Sequence, residues 1–497
     1  MRTGTVEPRV PAGCPKYLKL AKDFERQLRA GVLRIGDRLP SIRQLRDTHR
    51  VSVATAIGCY AWLERQGYVR ARPKSGFYVS RAPLTDTLPP AIASRARGPV
   101  PVRVGALGTV GTMPHDRRRV IDLGPAVVGP DLLPRNRLNQ SLRLALSAFT
   151  DNAVRYEDCR GSLRLRRQIA RLVFRQGVTC SPDDIVVTSG SIEAYNLCIR
   201  AIAHAGDVVA VESPGCFEIL RALEAMQLRA VEIPHVPKLG IDLDLLATAA
   251  ARQAIKAILL TATCHNPVGD CVDDARKEMI VRFAAERQIP IIEGDAFGDL
   301  VFSGERPRPL KAFDPTGIVM QCSSLAHYVA PGFNLGWANA GRWQPEVERL
   351  KSFTNVAAAM LPQLAMAEFL ESGAFEKHLK QLRIALWESV DAARQEVLRT
   401  FPAGTRVSAP EGGFVLWIQL PDGFDGRSVQ RAAATEGIHI LPGPVFSPTG
   451  DYRNFIRIAC GQPVELLRSA IRAIGDGLVF HSFPQVGDGA RPRPLRT

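Results

Sequence analysis

Residues 323–337 read SSLAHYVAPGFNLGW. The apolar run 317–322 comes directly before them, the pair Pro331-Gly332 divides them, and apolar residues follow. Short apolar runs on either side of a Pro-Gly pair are typical of two strands joined by a loop. This stretch therefore predicts a strand, a loop and a returning strand.

Further apolar runs surround this corner at helix-length intervals. Short apolar strands that alternate with helices indicate a mainly parallel sheet covered on both faces, with ligand groups at the carboxyl ends of its strands. We therefore expect an α/β domain over residues 120–345. Long helices over 363–400 and the runs GGFVLWIQLP and RIAC predict a smaller α+β domain over 346–480. The runs of the larger domain are DIVVTSG (184–190), VVAVESP (208–214), AILLTAT (257–263) and IPIIEGDA (289–296).

The N-terminal residues 15–81 predict three helices followed by a two-stranded wing. Apolar residues recur at helical spacing from Tyr17 to Leu28, and Gly31 is expected to end this first helix. Ser41 and Ser52 stand where the N-caps of a second and a third helix would lie. Tyr60 and Leu63 are core candidates of the third helix, which Gly67 is expected to end. YVRARPKSGFYVS (68–80) reads as two strands and a turn. The pattern is that of a winged helix-turn-helix.

The runs GDRLPSIRQL, VS and YAWLERQGYVRARPKSGFYV resemble the GntR family of bacterial repressors. The resemblance implies double-stranded DNA as partner, with the third helix in the major groove. Val53 and Ala54 replace the arginine and threonine that commonly follow the serine. Specificity is therefore expected to depend on thymine methyl contacts or on DNA shape. The residues that the resemblance assigns to DNA are Arg43, Ser52, Thr55, Arg70, Arg72, Lys74, Ser75 and Gly76.

The charge of the chain is concentrated at its N-terminal end. The first 119 residues carry 23 Lys and Arg against 8 Asp and Glu, a net charge of +15, which equals that of the whole chain. This asymmetry favours a polyanionic partner for the N-terminal part. Residues 82–119 are rich in Pro, Ala, Gly and Arg, and they predict a flexible basic linker. Residues 1–14 and 481–497 are assigned to an extension and a tail.

The corner at 323–337 resembles the cofactor-lysine segment of fold-type-I pyridoxal-phosphate aminotransferases. In that segment Ser-x-Ser-Lys is followed, three residues on, by Pro-Gly and then by an arginine. Aligned on Ala330-Pro331-Gly332, the lysine position holds His327 and the arginine position holds Asn334. A winged helix-turn-helix joined to an aminotransferase body is the signature of the MocR subfamily of GntR regulators.

The same resemblance implies roles for further residues of the body. In the TSGS turn (188–191), Ser191 opens a helix suited to the cofactor phosphate. Ser324 keeps the first serine of the lysine segment, and Arg457 corresponds to the arginine that grips a substrate carboxylate. Asn266 and Asp295 correspond to the residues that hold the 3-oxygen and the nitrogen of the pyridine ring. Tyr156 corresponds to a tyrosine that reaches the phosphate of the neighbouring subunit, which implies a homodimer.

Several positions depart from the aminotransferase pattern. The ring-stacking aromatic is replaced by Cys216, unless Phe217 takes its place. The loss of the lysine removes the covalent anchor of the cofactor, and the loss of the arginine removes a phosphate contact on the order of 1.5–3 kcal/mol. We therefore expect no transamination, no covalent pyridoxal phosphate, and weak or no non-covalent binding of it. The other substitutions are Ala326 for the second serine and Phe297 for a tyrosine.

Three functions remain open from the sequence. In the first, a transcription regulator senses a small amino- or carboxylate-bearing effector through its body. In the second, an enzyme uses His327 as a general base on bound pyridoxamine phosphate. In the third, the body is only a dimerisation scaffold. The start of the chain lacks the apolar core of a signal peptide, no run is long enough to cross a bilayer, and the ten cysteines are scattered. We therefore expect a cytoplasmic protein with reduced thiols and no metal site.

Overall fold

A computed structural model of the chain describes residues 15–30, 32–34, 36–65, 68–72, 75–79, 98–104, 120–148, 155–156, 158–302 and 305–480. The chain divides into two compact units: Met1–Thr87 with Leu300–Arg306, and Leu88–Asp299 with Pro307–Thr497. The predicted extension 1–14 and tail 481–497 lie outside the described residues, as do Gly31 and Gly67.

The described part of the N-terminal unit contains helices followed by an antiparallel hairpin, which confirms the predicted winged helix-turn-helix. Its elements are α1 (Lys16–Arg29), α2 (Ile42–His49), α3 (Val53–Arg65), β1 (Val69–Arg72) and β2 (Gly76–Val79). The apolar residues predicted to be core are buried: Leu20 and Phe24 on α1, and Tyr60 and Leu63 on α3. Tyr60 also stacks on Phe77 of β2, with 4.2 Å between ring centroids, and so ties the recognition helix to the wing.

Serine caps fix where α2 and α3 begin. Gln44 donates its backbone N–H to Ser41 Oγ at 3.2 Å, and Ser41 donates its own to Gln44 Oε1 at 2.8 Å. This reciprocal pair is a capping box, which satisfies two otherwise unpaired donors. Ser52 Oγ accepts from the backbone N–H of Thr55 at 3.1 Å. Both predicted caps are confirmed.

The larger unit contains a central mixed sheet with helices, and a second, antiparallel sheet. Its strands are β3 (Val100–Pro101), β4 (Ile121–Asp122), β5 (Val186–Ser189), β6 (Val208–Ser213), β7 (Arg229–Val236), β8 (Gly240–Ile241), β9 (Ile255–Leu260), β10 (Ile291–Gly294), β11 (Val319–Ser324), β12 (Leu335–Asn339), β13 (Arg406–Val407), β14 (Val415–Gln419), β15 (Ile438–His439), β16 (Leu441–Pro442) and β17 (Phe455–Ala459). Its helices are α4 (Arg135–Ala148), α5 (Leu163–Arg175), α6 (Gly190–Ile202), α7 (Phe217–Ala225), α8 (Leu243–Arg252), α9 (Asp274–Glu286), α10 (Gln344–Thr354), α11 (Met360–Glu371), α12 (Ala374–Thr400), α13 (Gly426–Thr435) and α14 (Val464–Phe480).

The central sheet has the strand order β3-β7-β6-β9-β10-β11-β12-β5, and β8 pairs with β7. Neighbours from β7 to β11 are parallel, whereas β12 is antiparallel to both β11 and β5. Most of these strands are buried along their length, as expected of a sheet covered on both faces. The predicted strand, loop and returning strand at 317–337 are β11, the connecting residues 325–334, and β12. The mainly parallel α/β fold is therefore confirmed.

The C-terminal part contains the antiparallel sheet β13-β14-β17-β16. The helical region predicted at 363–400 is formed by α11 and α12, which Gly373 separates with a φ of +69°. Glycine adopts this left-handed conformation without steric cost, so the break is built into the sequence. Residues 121–122 pair with residues 438–439, so the first strand after the predicted linker joins an element beyond position 345.

Residues 98–104, predicted to belong to a flexible linker, are instead part of the body. Val100 and Pro101 form β3, which pairs with the outer side of β7. Val102 and Val104 are buried in the core beneath α6 and α7. Pro101 lacks an N–H, and an edge strand tolerates that loss. Because Pro and Gly are frequent in the surrounding stretch, the alternating valines at 100, 102 and 104 were not recognised as part of the body. The neighbouring residues 80–97 and 105–119 lie outside the described part.

Among the described residues the cysteines are free thiols. Of the helices named above, none combines the length and the apolar composition needed to span a membrane.

Candidate functional site

The topology of the central sheet gathers the predicted site residues of the body at one edge. Because β12 is antiparallel to both of its neighbours, β5 runs in the same direction as β10 and β11. Ser191 follows the carboxyl end of β5, Asp295 follows β10, and His327 follows β11. Asn334 comes directly before β12, so it lies at the same edge. This is where α/β sheets bind their ligands.

His327 is held from both sides of its ring. Its Nδ1 lies 3.1 Å from the carbonyl oxygen of Ala126, and its Nε2 lies 3.4 Å from Ser191 Oγ. Since a carbonyl only accepts hydrogen bonds, Nδ1 carries the proton. Burial lowers the pKa of His327, and the charge of Glu218 together with the Ala126 bond opposes this only in part. The imidazole is therefore neutral at pH 7, with Nε2 as an acceptor facing Ser191.

The start of α6, where the resemblance places a phosphate, faces Asn334 instead of an arginine. Gly190 has a φ of +74°, and a Cβ added to it would lie 2.5 Å from Asn334 Oδ1. Ser324 Oγ donates to the carbonyl of Leu335 at 2.9 Å and accepts from the backbone N–H of Ala326 at 3.0 Å. The hydroxyl proton of Ser324 is thus committed to the backbone, and Asn334 offers a neutral amide where the aminotransferase pattern has a cation.

Asp295 is buried and held by two residues of β11. Gln321 donates its Nε2 to Asp295 Oδ2 at 2.8 Å, and Ser323 Oγ donates to the carbonyl oxygen of Asp295 at 2.7 Å. These bonds fix the carboxylate at the sheet edge. The sequence analysis did not single out Gln321, although a polar residue within an apolar strand is a usable signal.

Arg457, on β17, is fully buried. Its Nη1 donates to Asn266 Oδ1 at 3.2 Å, so two predicted site residues meet here. Among the described residues, its Nε and Nη2 have no hydrogen-bond partner. Burial lowers the pKa of Arg457, and Glu218 and Cys216 oppose that effect. A buried guanidinium with two unused donors suits an anion such as a carboxylate.

Glu218, in the first turn of α7, is an acid of the site that the sequence analysis missed. The thiol of Cys216 donates to Glu218 Oε2 at 2.9 Å, and burial together with this carboxylate raises the pKa of Cys216. The charge of Glu218 also acts on the pKa values of His327 and Arg457. Phe217 is buried and packs edge-on against Phe446.

A buried charge network, also missed, lies around His235. Its Nδ1 lies 3.1 Å from Glu212 Oε1, and its Nε2 lies 2.9 Å from Asp270 Oδ1. Burial alone would lower the pKa of His235, but Asp270 and Glu212 raise it to about 10. The ring of His265 stacks on it at 3.8 Å, and burial and the charge of His235 lower the pKa of His265.

This network has the composition of a metal site. Ligand atoms of Glu212, His235 and His265 lie within 4.8 Å of one another. Both ring nitrogens of His235 also lie within hydrogen-bond distance of carboxylate oxygens, those of Glu212 and Asp270. The residues therefore form a buried network of close charged and polar contacts centred on His235.

Phe297 and Tyr156 lie in contrasting environments. Phe297 is buried and contacts the ring of His327 edge-on, with 5.1 Å between centroids. It supplies a ring without the hydroxyl that the aminotransferase pattern has there. Tyr156 is 89% exposed on its own chain. Its contact with a second subunit stays a prediction.

The predicted DNA contacts lie on the N-terminal unit. Arg43 on α2, Ser52 before α3 and Arg70 on β1 are exposed, and Thr55 is partly exposed. In the wing, Ser75 Oγ and Tyr78 Oη lie 2.7 Å apart, and Gly76 has a φ of +104° that favours glycine. The side chain of Arg72 and the whole of Lys74 lie outside the described residues.

Two family models cover the two units. Residues 16–79 match the gntR family of bacterial regulatory proteins, and residues 136–474 match aminotransferase class I and II. The chain belongs to the MocR-type GntR regulators. This regulator is 34% identical over 448 residues to the HTH-type transcriptional regulator YdcR of Escherichia coli K12, a match that covers 89% of this chain and 94% of YdcR. It is 32% identical over 469 residues to YjiR of the same strain, covering 93% and 98%.

Solved aminotransferases share the fold of the regulator's body. An archaeal alanine:glyoxylate aminotransferase matches with a TM-score of 0.69 at 26% identity, covering 76% of this chain and 94% of that chain. The kynurenine aminotransferase of Pyrococcus horikoshii matches with a TM-score of 0.68 at 25% identity, covering 76% and 93%. The body therefore has the fold of a family of pyridoxal-phosphate-binding proteins.

Proposed function

We propose that this DNA-binding regulator is a cytoplasmic homodimer whose aminotransferase-like body binds a small carboxylate-bearing effector. Binding of the effector then changes how the helix-turn-helix units engage double-stranded DNA. A ligand shifts such an equilibrium only by its difference in affinity for the two states. The observation that carries the proposal is the buried guanidinium of Arg457.

The unused donors of Arg457 support an anionic ligand. A buried polar donor without a partner costs about 1–3 kcal/mol, and more when the group is charged. A carboxylate that accepts from Nε and Nη2 would remove this cost by a bidentate pair. Asn266 accepts from the remaining nitrogen, Nη1, at 3.2 Å. Nε and Nη2 are therefore the nitrogens left for a ligand.

The residues at the sheet edge do not fit a covalently held pyridoxal phosphate. An imidazole does not form a stable imine with an aldehyde, and the Nδ1 proton of His327 is committed to Ala126. The phosphate end offers Asn334 and the committed hydroxyl of Ser324. We therefore propose that the body recognises its ligand without covalent chemistry.

A homodimer is supported by the family and by the body surface. Tyr156 is exposed on its own chain, and the large apolar side chains of Phe353 and Phe174 are also exposed. We propose that a second copy of the chain contacts Tyr156, as the family resemblance implies.

The proposal is tested by ligand-induced thermal shift of the full chain with α-amino acids, 2-oxo acids and the corresponding amines. We expect stabilisation by at least one carboxylate, and loss of that stabilisation in Arg457→Gln. The control is Arg453→Gln, which removes an exposed guanidinium four residues away. The proposal would be contradicted if none of these carboxylates raised the melting temperature of the wild-type chain. It would also be contradicted if the carboxylate that stabilises the wild-type chain stabilised Arg457→Gln equally well.

The neutral Nε2 of His327 favours one alternative, a general base acting on bound pyridoxamine phosphate. An acceptor nitrogen that faces the site could take a proton there. Amino-group exchange between an amino acid and a 2-oxo acid, catalysed by the purified chain and abolished in His327→Asn, would support the enzyme and count against a purely sensory body.

A further inference from the structure

The solvent face of the recognition helix α3 is apolar. Val53 is 46% exposed and Ile57, one turn later, is 49% exposed. Residues four apart lie on the same helix face. Ala54 and Ala61 are exposed on this side as well. The four side chains form one continuous strip, called here the apolar strip, on the helix that enters the major groove in this class of domain.

The packing of α3 fixes this orientation. Ala56, Cys59, Tyr60 and Leu63 are buried against the rest of the N-terminal unit. The helix cannot rotate to present another face without exposing this core. The apolar strip is therefore what a DNA groove would meet.

The hydroxyl groups at the start of α3 are engaged within the protein. Ser52 Oγ accepts from the backbone N–H of Thr55, and the two hydroxyl oxygens lie 2.9 Å apart. Near the other end, Glu64 is an acceptor only, and its Oε1 receives the backbone N–H of Ala71 at 3.3 Å. Adenine is read by a side-chain amide and guanine by a guanidinium or ammonium group. Ser52, Thr55 and Glu64 carry none of these groups.

The surroundings of the strip are basic. Arg43 on α2 and Arg70 on β1 are exposed, and the first 119 residues carry a net charge of +15. Positive side chains position a protein on phosphates but carry no sequence information themselves. The positive charge therefore favours a nucleic acid as the partner of the apolar strip. The strip itself is what remains to distinguish one base from another.

Because the apolar group that the major groove presents is the 5-methyl of thymine, we propose that Val53 and Ile57 select operators by van der Waals contact with thymine methyl groups. This inference rests on the DNA-binding function proposed above. It predicts that half-sites carry thymines at the positions facing Val53 and Ile57, and that no side chain from Val53 to Glu64 reads a guanine through a bidentate bond.

The test begins with selection of bound duplexes from a random pool by the full chain. In the selected duplex, deoxyuridine then replaces the recurrent thymines, which keeps base pairing and removes only the methyl group. At constant salt we expect the affinity to fall about fourfold for each contacted methyl that is removed, the ratio expected for one buried methyl-sized group. The readout is the Kd from fluorescence anisotropy.

Val53→Ala and Ile57→Ala should weaken binding to the thymine duplex while leaving binding to the uracil duplex nearly unchanged. Val32→Ala, which truncates an exposed valine outside α3, is the matched control and should preserve the thymine preference. Equal affinity of the wild-type chain for the two duplexes would overturn the inference while leaving DNA binding intact. Equal weakening of both duplexes by Val53→Ala and Ile57→Ala would also overturn it. Absence of binding to any duplex would overturn the DNA-binding function itself.

Discussion

At the residue scale, the departure from the aminotransferase pattern that bears most directly on the cofactor is His327. His327 lies where a lysine is expected, at the carboxyl end of β11 and 3.4 Å from Ser191. We predict that His327→Lys gains the ability to bond pyridoxal phosphate, because an unprotonated primary amine condenses with the aldehyde. The measurement is the visible absorption band of a protein-bound imine after pyridoxal phosphate is added.

The control for this prediction is His204→Lys, which places the same side chain at an exposed position. It should produce no site-specific band beyond that of the wild-type chain. A clear band in the wild-type chain would show that another amine of the protein bonds the cofactor. The proposal of a non-covalent body would then be wrong.

A second prediction concerns the buried network of His235. Its pKa is raised to about 10, whereas the pKa of Glu212 is lowered to about 2 because the two histidines outweigh the effect of burial. Asp270 is shifted in the same direction as Glu212, again against burial and because of His235. Breaking a buried ion pair typically costs about 3–5 kcal/mol. We therefore expect His235→Gln to lower the free energy of unfolding by about this amount near neutral pH.

The sign of the pH dependence follows from these shifts. The contribution of the raised His235 pKa is complete below its unfolded value of about 6.5 and is lost as pH rises towards 10. The contributions of Glu212 and Asp270 are complete above about pH 5 and are lost at more acidic pH. The difference between wild type and His235→Gln in urea unfolding should therefore be largest near pH 6. His204→Gln is the exposed control, and a difference that grows from pH 6 to pH 9 would contradict the assignment.

At the scale of elements, the sequence predicted helices and strands correctly where helix caps and turn residues mark their ends. Ser41 and Ser52 cap their helices, and the apolar runs on either side of Pro331-Gly332 are β11 and β12. Each of these features depends on residues close in sequence. Val100 and Pro101 form an edge strand instead of a linker, because their partner is β7, more than a hundred residues away. Composition alone could not reveal such a long-range pair.

At the scale of the whole molecule, the uneven charge distribution leads to a salt prediction. DNA binding should weaken linearly in log Kd against log salt, because neutralised phosphates release counterions. Arg43→Gln and Arg70→Gln should each reduce the slope by about one, since each removes one cation from a phosphate, and should weaken binding similarly for all sequences. These changes differ from those expected for Val53 and Ile57, which affect base preference.

The control for the salt series is Arg282→Gln, which removes an exposed arginine from α9 in the body. Its slope should match that of the wild-type chain. The measurement is anisotropy titration of one duplex over a range of salt concentrations. If neither Arg43→Gln nor Arg70→Gln changed the slope of log Kd against log salt, the phosphate contacts would be made by other residues.

The sequence by itself determined the two-part architecture, the winged helix-turn-helix with its caps, the mainly parallel sheet, and the absence of a lysine at position 327. These follow from short-range periodicity and from motifs whose order is visible along the chain. Only the tertiary structure placed Arg457 beside Asn266, Glu218 beside Cys216, and His235 between Glu212 and Asp270. It also showed which face of α3 is exposed. Hydrogen bonding, burial and pKa depend on distances between residues far apart in sequence, and those distances exist only after the sheet has assembled.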